Sequence, residues 1–412
     1  MKIAIFHNIP SGGAKRALFE WTRRLAGQHE IDVYSLATAD HAFCDIRPFA
    51  AQHHVFEFAP RSLFNSPFGR LNQFQRWRDL GDLERINRRI AGQINQGGYD
   101  VLFANTCIFT FIPALLQYVN IPSVYYLHEP FGSGFYRSFE RPYLKRGGWR
   151  ESLNRLDPLI ELYQSRLDSI QRRSVRKTTR LLSNSHFTRE RIRQAFGVDA
   201  AFSPYGVDLT GFHPVEGSRR EEYVVSVGEM SPRKGFDFVV KSLGMIPAEQ
   251  RPPLKLACNM VHEDELAYIQ DLARQNGVQL EVLAGVKVDG LRDLYSRARL
   301  CVYAPVMEPF GLVPLEAMAC GTPVVGVREG GVQESILHEL TGLLVEREAQ
   351  QFGAAIQHLL ANPELAETYG QNGREHLLKN WTWDRSVSIL ESHLADCAGL
   401  RLNRNQSTSE KK

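Results

Sequence analysis

Cysteine is sparse in this chain. Six cysteines, at positions 44, 107, 258, 301, 320 and 397 of 412 residues, include no Cys-x-x-Cys and no Cys/His cluster at metal-ligand spacing. That excludes a disulfide framework and a zinc module, and it argues for reduced thiols in a cytoplasmic protein. No run of about 18 apolar residues occurs, so nothing reads as a membrane span. The opening Met1-Lys2-Ile3-Ala4-Ile5-Phe6 is too short for a signal segment and fits a first strand. No Gly-x-Gly-x-x-Gly follows a strand, which counts against a nicotinamide dehydrogenase. The net charge is only +3 and no nucleic-acid motif accompanies it, so nucleic acid is not an expected partner.

What is present is the composition of a folded globular protein: 43% apolar and 23% charged residues. A chain of 412 residues holds two or three domains at about 150 residues each. Short apolar runs alternate with helical periodicity. Strands are expected at 2–6, 31–37, 99–105, 122–127, 180–185, 223–228, 254–258, 278–283, 300–304, 323–327 and 341–345. The first helix, about 14–26, puts Ala17, Leu18, Trp21 and Leu25 on one face. Another starts at an N-cap near Ser185, and helices fill about 348–397, the last capped near Thr382. Residues 40–75 read as irregular. Strand–helix alternation of this kind predicts parallel sheets in an α/β fold.

The stretch Glu308-Pro309-Phe310-Gly311-Leu312-Val313-Pro314-Leu315-Glu316 stands out. It lies between two apolar strands, and its second half reads as a helix stopped by Gly321 and Pro323. In such a βαβ unit ligands bind where strand ends meet helix N-termini. The N–H groups of Phe310, Gly311 and Leu312 would then face an anion or a sugar hydroxyl. A glutamate early in a helix is also favoured by the helix dipole alone. Two further loops sit at strand ends. Gly12 and Gly13 follow the first strand, as they would in any tight βα turn. Arg233 and Lys234 stand where the strand 223–228 runs on to a helix from Phe236. There they read as a diphosphate clamp or as a solvated pair, and each charge-assisted hydrogen bond in a clamp is worth roughly 1.5–3 kcal/mol. His128 ends the strand 122–127, placed either to orient a hydroxyl or to serve as a structural residue.

Together, Pro309-Phe310-Gly311-Leu312, Glu316-Ala317-Met318-Ala319 and Gly321-Thr322-Pro323-Val324-Val325 resemble the signature of the retaining glycosyltransferases of family 4. The turn before Gly235, Ser183-Asn184-Ser185 and Tyr205-Gly206-Val207-Asp208 are similar to it as well. The resemblance is strongest over 223–345 and absent over 40–95. It implies a GT-B fold, two Rossmann-like domains with parallel sheets facing across a cleft. The expected boundaries are an acceptor domain at 1–214, a nucleotide-sugar domain at 215–380, a helix at 381–400 crossing back to the first domain, and a disordered tail at 401–412.

The implied reaction moves a hexose-type sugar from a nucleoside diphosphate sugar to a hydroxyl acceptor, with retention, no metal and no cofactor. A catalytically inactive sugar- or nucleotide-binding subunit of a glycan-assembly complex, with the same fold, is the alternative. The resemblance gives Lys234 and Arg233 to the diphosphate, and Gly12, Gly13, Phe310, Gly311 and Leu312 to donor contacts. It gives Glu316 to the ribose, Val286 and Lys287 to the base, and Glu308 and His128 to the donor sugar. One departure is Glu229, where many members have an Arg. A glycoside hydrolase also uses two carboxylates, but it has no need of an Arg-Lys pair beside a helix N-terminus. Residues 137–180 carry twelve Arg and Lys against five Asp and Glu, a net +7. They read as a core-packed helix with a solvated basic face, or as a docking face for anionic membrane.

Overall fold

The computed structural model describes residues 1–65, 68–129, 139–144 and 157–399. Part of the basic stretch and the tail 401–412 therefore lie outside the described residues. The first sheet comprises β1 (Lys2–Asn8), β2 (Glu30–Leu36), β3 (Gln52–Phe56), β4 (Val101–Cys107), β5 (Ser123–Leu127), β6 (Arg180–Ser183) and β7 (Ala201–Phe202). Its order is β3-β2-β1-β4-β5-β6-β7. Helices α1 (Gly13–Leu25), α2 (Asn72–Gln96), α3 (Pro158–Lys177) and α4 (His186–Phe196) connect these strands. The second sheet comprises β8 (Glu221–Val227), β9 (Leu254–Cys258), β10 (Leu280–Ala284), β11 (Ala298–Tyr303), β12 (Val324–Val327) and β13 (Gly342–Val345), in the order β10-β9-β8-β11-β12-β13. With it go α5 (Phe236–Gly244), α6 (Glu263–Gln275), α7 (Val288–Arg297), α8 (Leu312–Ala319), α9 (Val332–Ser335), α10 (Ala349–Ala361), α11 (Pro363–Asn380) and α12 (Trp383–Cys397). The described strand pairs are parallel in both sheets. This is the α/β, two-sheet GT-B architecture.

The strands are continuous apolar runs because helices cover both faces of each sheet. Ile3, Ile5, Val101, Phe103 and Val124 pack on one face of the first sheet, and Ala4, Phe6, Leu102 and Tyr125 on the other. In each sheet the strand order reverses once, between β1 and β4 and between β8 and β11. Crevices at the C-terminal ends of such strand pairs are where doubly wound sheets bind ligands. Residues after β1, β8 and β11 are thereby singled out by topology alone.

The helix caps appear where their side chains predict. Ser185 Oγ accepts the Thr188 N–H at 2.9 Å, and Thr382 Oγ1 accepts that of Arg385 at 3.3 Å. The stretch expected to be irregular contains β3 and the start of α2. Its helical pattern was masked by charge: α2 buries Leu80, Leu83, Ile90 and Ile94 but also Asp79 and Asn87. Asp79 takes the Arg61 guanidinium at 2.7 Å, and Asn87 Oδ1 takes the Leu115 N–H at 3.0 Å.

The last helix, α12, packs against α1. Trp21 is fully buried, with its ring 4.5 Å from Tyr126 and 6.3 Å from Trp383. Trp21 Nε1 donates to Ser386 Oγ at 2.9 Å, and Ser386 Oγ donates to the Pro204 carbonyl at 2.6 Å. The chain thus returns to its first domain through an aromatic and hydroxyl junction, flanked by the pairs Arg24–Asp384, His29–Glu391 and Arg180–Asp396. Trp383→Ala removes the largest α12 side chain from that junction and should destabilise the protein by about 3–5 kcal/mol. Urea unfolding followed by circular dichroism checks this, and a loss below about 1 kcal/mol would show that α12 is not needed to complete the first domain.

Candidate active site between the two domains

The second domain builds its side of the cleft from three loops at the β8/β11 reversal. The loop after β8 runs through the short turn Pro232–Lys234 to Gly235, which has φ 68°. A side chain at Gly235 would strike the Ala304 carbonyl at the end of β11, so only glycine fits on both counts. The turn is pinned from the other side by the Val306 N–H, which donates to the Arg233 carbonyl at 2.8 Å. The loop after β11 carries Glu308. Its backbone lies against Gly330 and Gly331, whose added Cβ atoms would collide with the main chain of Glu308 and Pro309, and the Gly331 N–H donates to the Glu308 carbonyl at 2.8 Å. These packings bring Lys234 Nζ to 2.9 Å from Glu308 Oε2, both partly buried. Gly311, with φ 89°, then opens α8, whose first N–H groups have no intrahelical acceptor.

Glu316 lies one turn into α8 and is buried. One oxygen takes Arg16 Nη1 of α1 at 3.2 Å, and the other takes the Tyr295 hydroxyl at 3.1 Å. Burial pushes its carboxyl above the ordinary range, opposed by Arg16 and the Tyr295 hydrogen bond. Arg233 reaches across to Glu129 of the first domain, 2.5 Å away. Gly12 caps α1 with φ 140°, and a Cβ on Gly13 would sit 3.6 Å from Leu312, so this glycine pair faces the start of α8.

Further contacts join the walls. Ser185 Oγ donates to the Pro309 carbonyl at 2.5 Å, and the Glu334 carboxylate accepts the N–H groups of His186 and Phe187 at 2.9 and 2.8 Å. A carboxylate at the start of α4 is favoured by that helix's dipole. Phe310 packs edge-on to Tyr205 at 4.9 Å.

The other expected positions are placed as follows. His128 is buried beside Trp21, Tyr126 and Tyr205. Its Nδ1 is 2.6 Å from the Tyr205 hydroxyl and its Nε2 3.1 Å from Asn105 Oδ1. Asn105 Oδ1 only accepts, so Nε2 carries the proton and Nδ1 accepts from Tyr205. Both ring nitrogens are thus held within the first domain, and in this arrangement neither is turned to a sugar. Val286 and Lys287 follow the outer strand β10, two strand spacings from β8, about 10 Å. Glu229 pairs with His262 at 2.8 Å on the exposed rim. Arg141, counted above with the basic face, is a correction: it is buried, with Nε 2.9 Å from Glu265 and Nη2 3.0 Å from Asp237 of the second domain. Sequence reading missed Arg16, Glu129 and Tyr295. Arg16 stands one turn after the glycine pair; for the other two no local signal exists.

Two family models match. One described as "Glycosyl transferases group 1" covers residues 212–376, and "Glycosyltransferase Family 4" covers 11–210. The chain belongs to the group 1, family 4 glycosyltransferases. Among curated relatives, an uncharacterized glycosyltransferase of Methanocaldococcus jannaschii is 32% identical over 40% of this chain and 42% of its own. A GDP-mannose-dependent alpha-(1-6)-phosphatidylinositol monomannoside mannosyltransferase of Mycolicibacterium smegmatis is 33% identical over 48% of this chain and 57% of its own. This family 4 chain therefore spans about half the length of these curated relatives. Among solved structures, sucrose-phosphate synthase from Thermosynechococcus elongatus has a TM-score of 0.72 at 21% identity, covering 96% of this chain and 98% of that one. HepE of Anabaena, in complex with UDP and glucose, has a TM-score of 0.70 at 18% identity, covering 96% of this chain and all of that one. Both are likenesses of fold.

The burial of His128 predicts a fold that loses stability in acid. Burial lowers it from 6.5 to about 3. The folded protein keeps it neutral, whereas the unfolded chain protonates it below its ordinary value. Its contribution is therefore complete above that value and is lost as pH falls toward the folded one, by up to about 1.4 kcal/mol per pH unit. The urea midpoint should fall less steeply on acidification in His128→Gln than in wild type; equal slopes would show that the imidazole is not held neutral.

Proposed function

We propose that this chain moves a hexose-type sugar from a nucleoside diphosphate sugar to a hydroxyl acceptor, with retention and without a metal ion. The observation that supports this most is the Lys234–Glu308 pair at the β8/β11 reversal, beside Arg233 and the N-terminus of α8. A leaving diphosphate develops negative charge, and preorganised donors there act where water is excluded. Lys234 and Arg233 take that part, with the N–H groups at Phe310, Gly311 and Leu312 beside them. Once Lys234 turns to phosphate, Glu308 faces the donor sugar and stabilises oxocarbenium-like charge. Ribose hydroxyls reach Glu316 by taking the place of Arg16. The base lies over Val286 and Lys287, on the loop after β10 of the same sheet. His128 holds the Tyr205 hydroxyl, and through that ring the Phe310 loop. The acceptor hydroxyl enters from the first domain, on the same face as the leaving phosphate. Mannosyltransferases among the relatives and UDP in HepE are in keeping with a sugar nucleotide donor.

Thermal stabilisation by UDP, GDP and ADP without added metal tests the proposal. A ligand at about 100 times its dissociation constant adds roughly 2.7 kcal/mol, a rise of a few degrees in Tm. One nucleotide should stabilise wild type and not Lys234→Ala. If none does, the inactive-subunit reading takes its place.

A membrane partner is narrower than composition implied. Arg166 and Arg173 pair with Glu84, Arg180 with Asp396, and Arg141 is buried, while Arg172, Arg176 and Lys177 at the end of α3 are exposed. Arg137, Lys145, Arg146, Arg150 and Arg155 lie outside the described residues. Salt-sensitive co-sedimentation with anionic vesicles is expected; its absence removes the membrane from the proposal.

A further inference from the structure

The first domain carries a polar cluster that donor chemistry does not use. His7 lies near the end of β1 and Lys15 in the first turn of α1. His41 comes from the loop after β2, and His53 from β3. His7 and Lys15 are fully buried, whereas His41 and His53 are partly exposed. The His7 and His41 rings are 6.2 Å apart, and those of His41 and His53 5.3 Å.

Both ring nitrogens of His7, Nζ of Lys15 and Nε2 of His41 have no hydrogen-bond partner within the protein. His53 differs, since its Nε2 is 2.9 Å from Ser35 Oγ. The carboxylates that act on Lys15 from a distance are engaged elsewhere. Asp40 Oδ1 takes the N–H groups of Ala42 and Phe43 at 2.8 and 3.0 Å, and Asp45 takes the Arg47 guanidinium at 2.9 Å.

Buried polar groups are nearly always bonded, because leaving one bare costs about 1–3 kcal/mol and more for a charge. Four bare atoms gathered at one place are a surface shaped for a partner. The place fits, since β1 borders the strand-order reversal and Gly12–Gly13 begins the same helix as Lys15. Lys15 can only donate, and Arg47 adds positive potential beside it. Burial lowers Lys15 to about 8, against the opposing pull of the more distant Asp40 and Asp45. A metal ion fits poorly: among the described residues no group of three His, Cys, Asp or Glu could hold one, and the ammonium would repel it.

We propose that His7, Lys15 and His41, with His53 at the rim, bind an oxyanion of the acceptor, a phosphate or a carboxylate. The word acceptor rests on the transferase reading above; the oxyanion site does not. Lys15 Nζ and the His7 N–H donate to the anion, and the half-exposed histidines give it a way in. The sugar-accepting hydroxyl of the same molecule then lies toward Gly12–Gly13 and the donor.

The test is thermal stabilisation of the full chain by inorganic phosphate, with chloride matching the ionic strength and succinate as the carboxylate arm. Wild type, Lys15→Met and Lys234→Ala are compared, and a nucleotide titration is run on each. Phosphate or succinate should stabilise wild type and Lys234→Ala. Lys15→Met should bind it about tenfold more weakly or worse, while keeping its nucleotide response. Without ligand, Lys15→Met should be at least as stable as wild type, because a bare buried ammonium is replaced by an apolar chain of similar length. If that variant does not fold, Lys15 has a structural partner and the proposal is overturned for it; His41→Gln then tests the histidines by the same titration. A phosphate response kept in Lys15→Met and lost in Lys234→Ala places the anion in the diphosphate clamp and overturns the pocket. No response to either anion, with nucleotide binding intact, overturns the pocket alone. Loss of nucleotide binding in wild type overturns the transferase reading instead.

Discussion

The donor side of the cleft rests on backbone packed directly against backbone. Gly330 and Gly331 lie under the main chain of Glu308 and Pro309, and Gly235 lies under the carbonyl of Ala304. At each place a single methyl group would push one loop off another. The Lys234–Glu308 distance of 2.9 Å follows from those contacts, not from the flexible side chains alone. The backbone that carries these charges is held in place, so a ligand need only redirect side-chain ends, which keeps the reorganisation of a leaving-group site small. It also explains why a second glycine turn, 22 residues after Glu308, belongs to the same site: it is the floor on which the carboxylate loop stands.

Three cations at the cleft are each met by a carboxylate of the protein. Lys234 has Glu308, Arg233 has Glu129, and Arg16 has Glu316. Two of these pairs cross between the domains. Ion pairs in partly buried positions contribute little net stability, since desolvation offsets most of the attraction. Exchanging a carboxylate for a diphosphate oxygen at such a cation therefore costs little, and the displaced carboxylate stays nearby. On the proposed reading that position is the useful one for Glu308, because positive charge then develops on the sugar next to it. Arg16–Glu316 and Arg233–Glu129 join the two domains, so on the proposed reading a donor that displaces either pair exchanges an interdomain contact for its own bridge across the cleft.

Much of this was legible in the chain because it is local. A strand, a Pro-Gly turn, a helix of small residues and a Gly-Thr-Pro stop dictate the Glu308–Glu316 unit within about 20 residues. The caps at Ser185 and Thr382 act over three residues and read directly. Three things did not read. Helix α2 hides its apolar stripe behind buried Asp79 and Asn87, whose partners Arg61 and Leu115 are far away in sequence. Arg141 looked like one more surface cation, because nothing near it announces that Glu265 and Asp237 enclose it. The strand-end position of His128 was visible, but Tyr205 and Asn105, which occupy its nitrogens, come from other strands and loops.

The two sheet edges differ in one physical respect that matches their tasks. On the second domain Lys234 and Arg233 each have a protein counter-charge, and the loop that carries them belongs to the family signature. On the first domain Lys15 and His7 are buried without hydrogen-bond partners, and His41 and His53 lie beside them. A nucleoside diphosphate is a common leaving group across many reactions, so one arrangement of loops serves and can satisfy itself when unliganded. An acceptor is particular to each protein. Its site is built by side chains that the shared fold does not dictate, and their unmet hydrogen bonds are the price of that selectivity. If the proposed oxyanion site holds, the acceptor's chemistry is read from the bare atoms of the first domain rather than from the motif of the second.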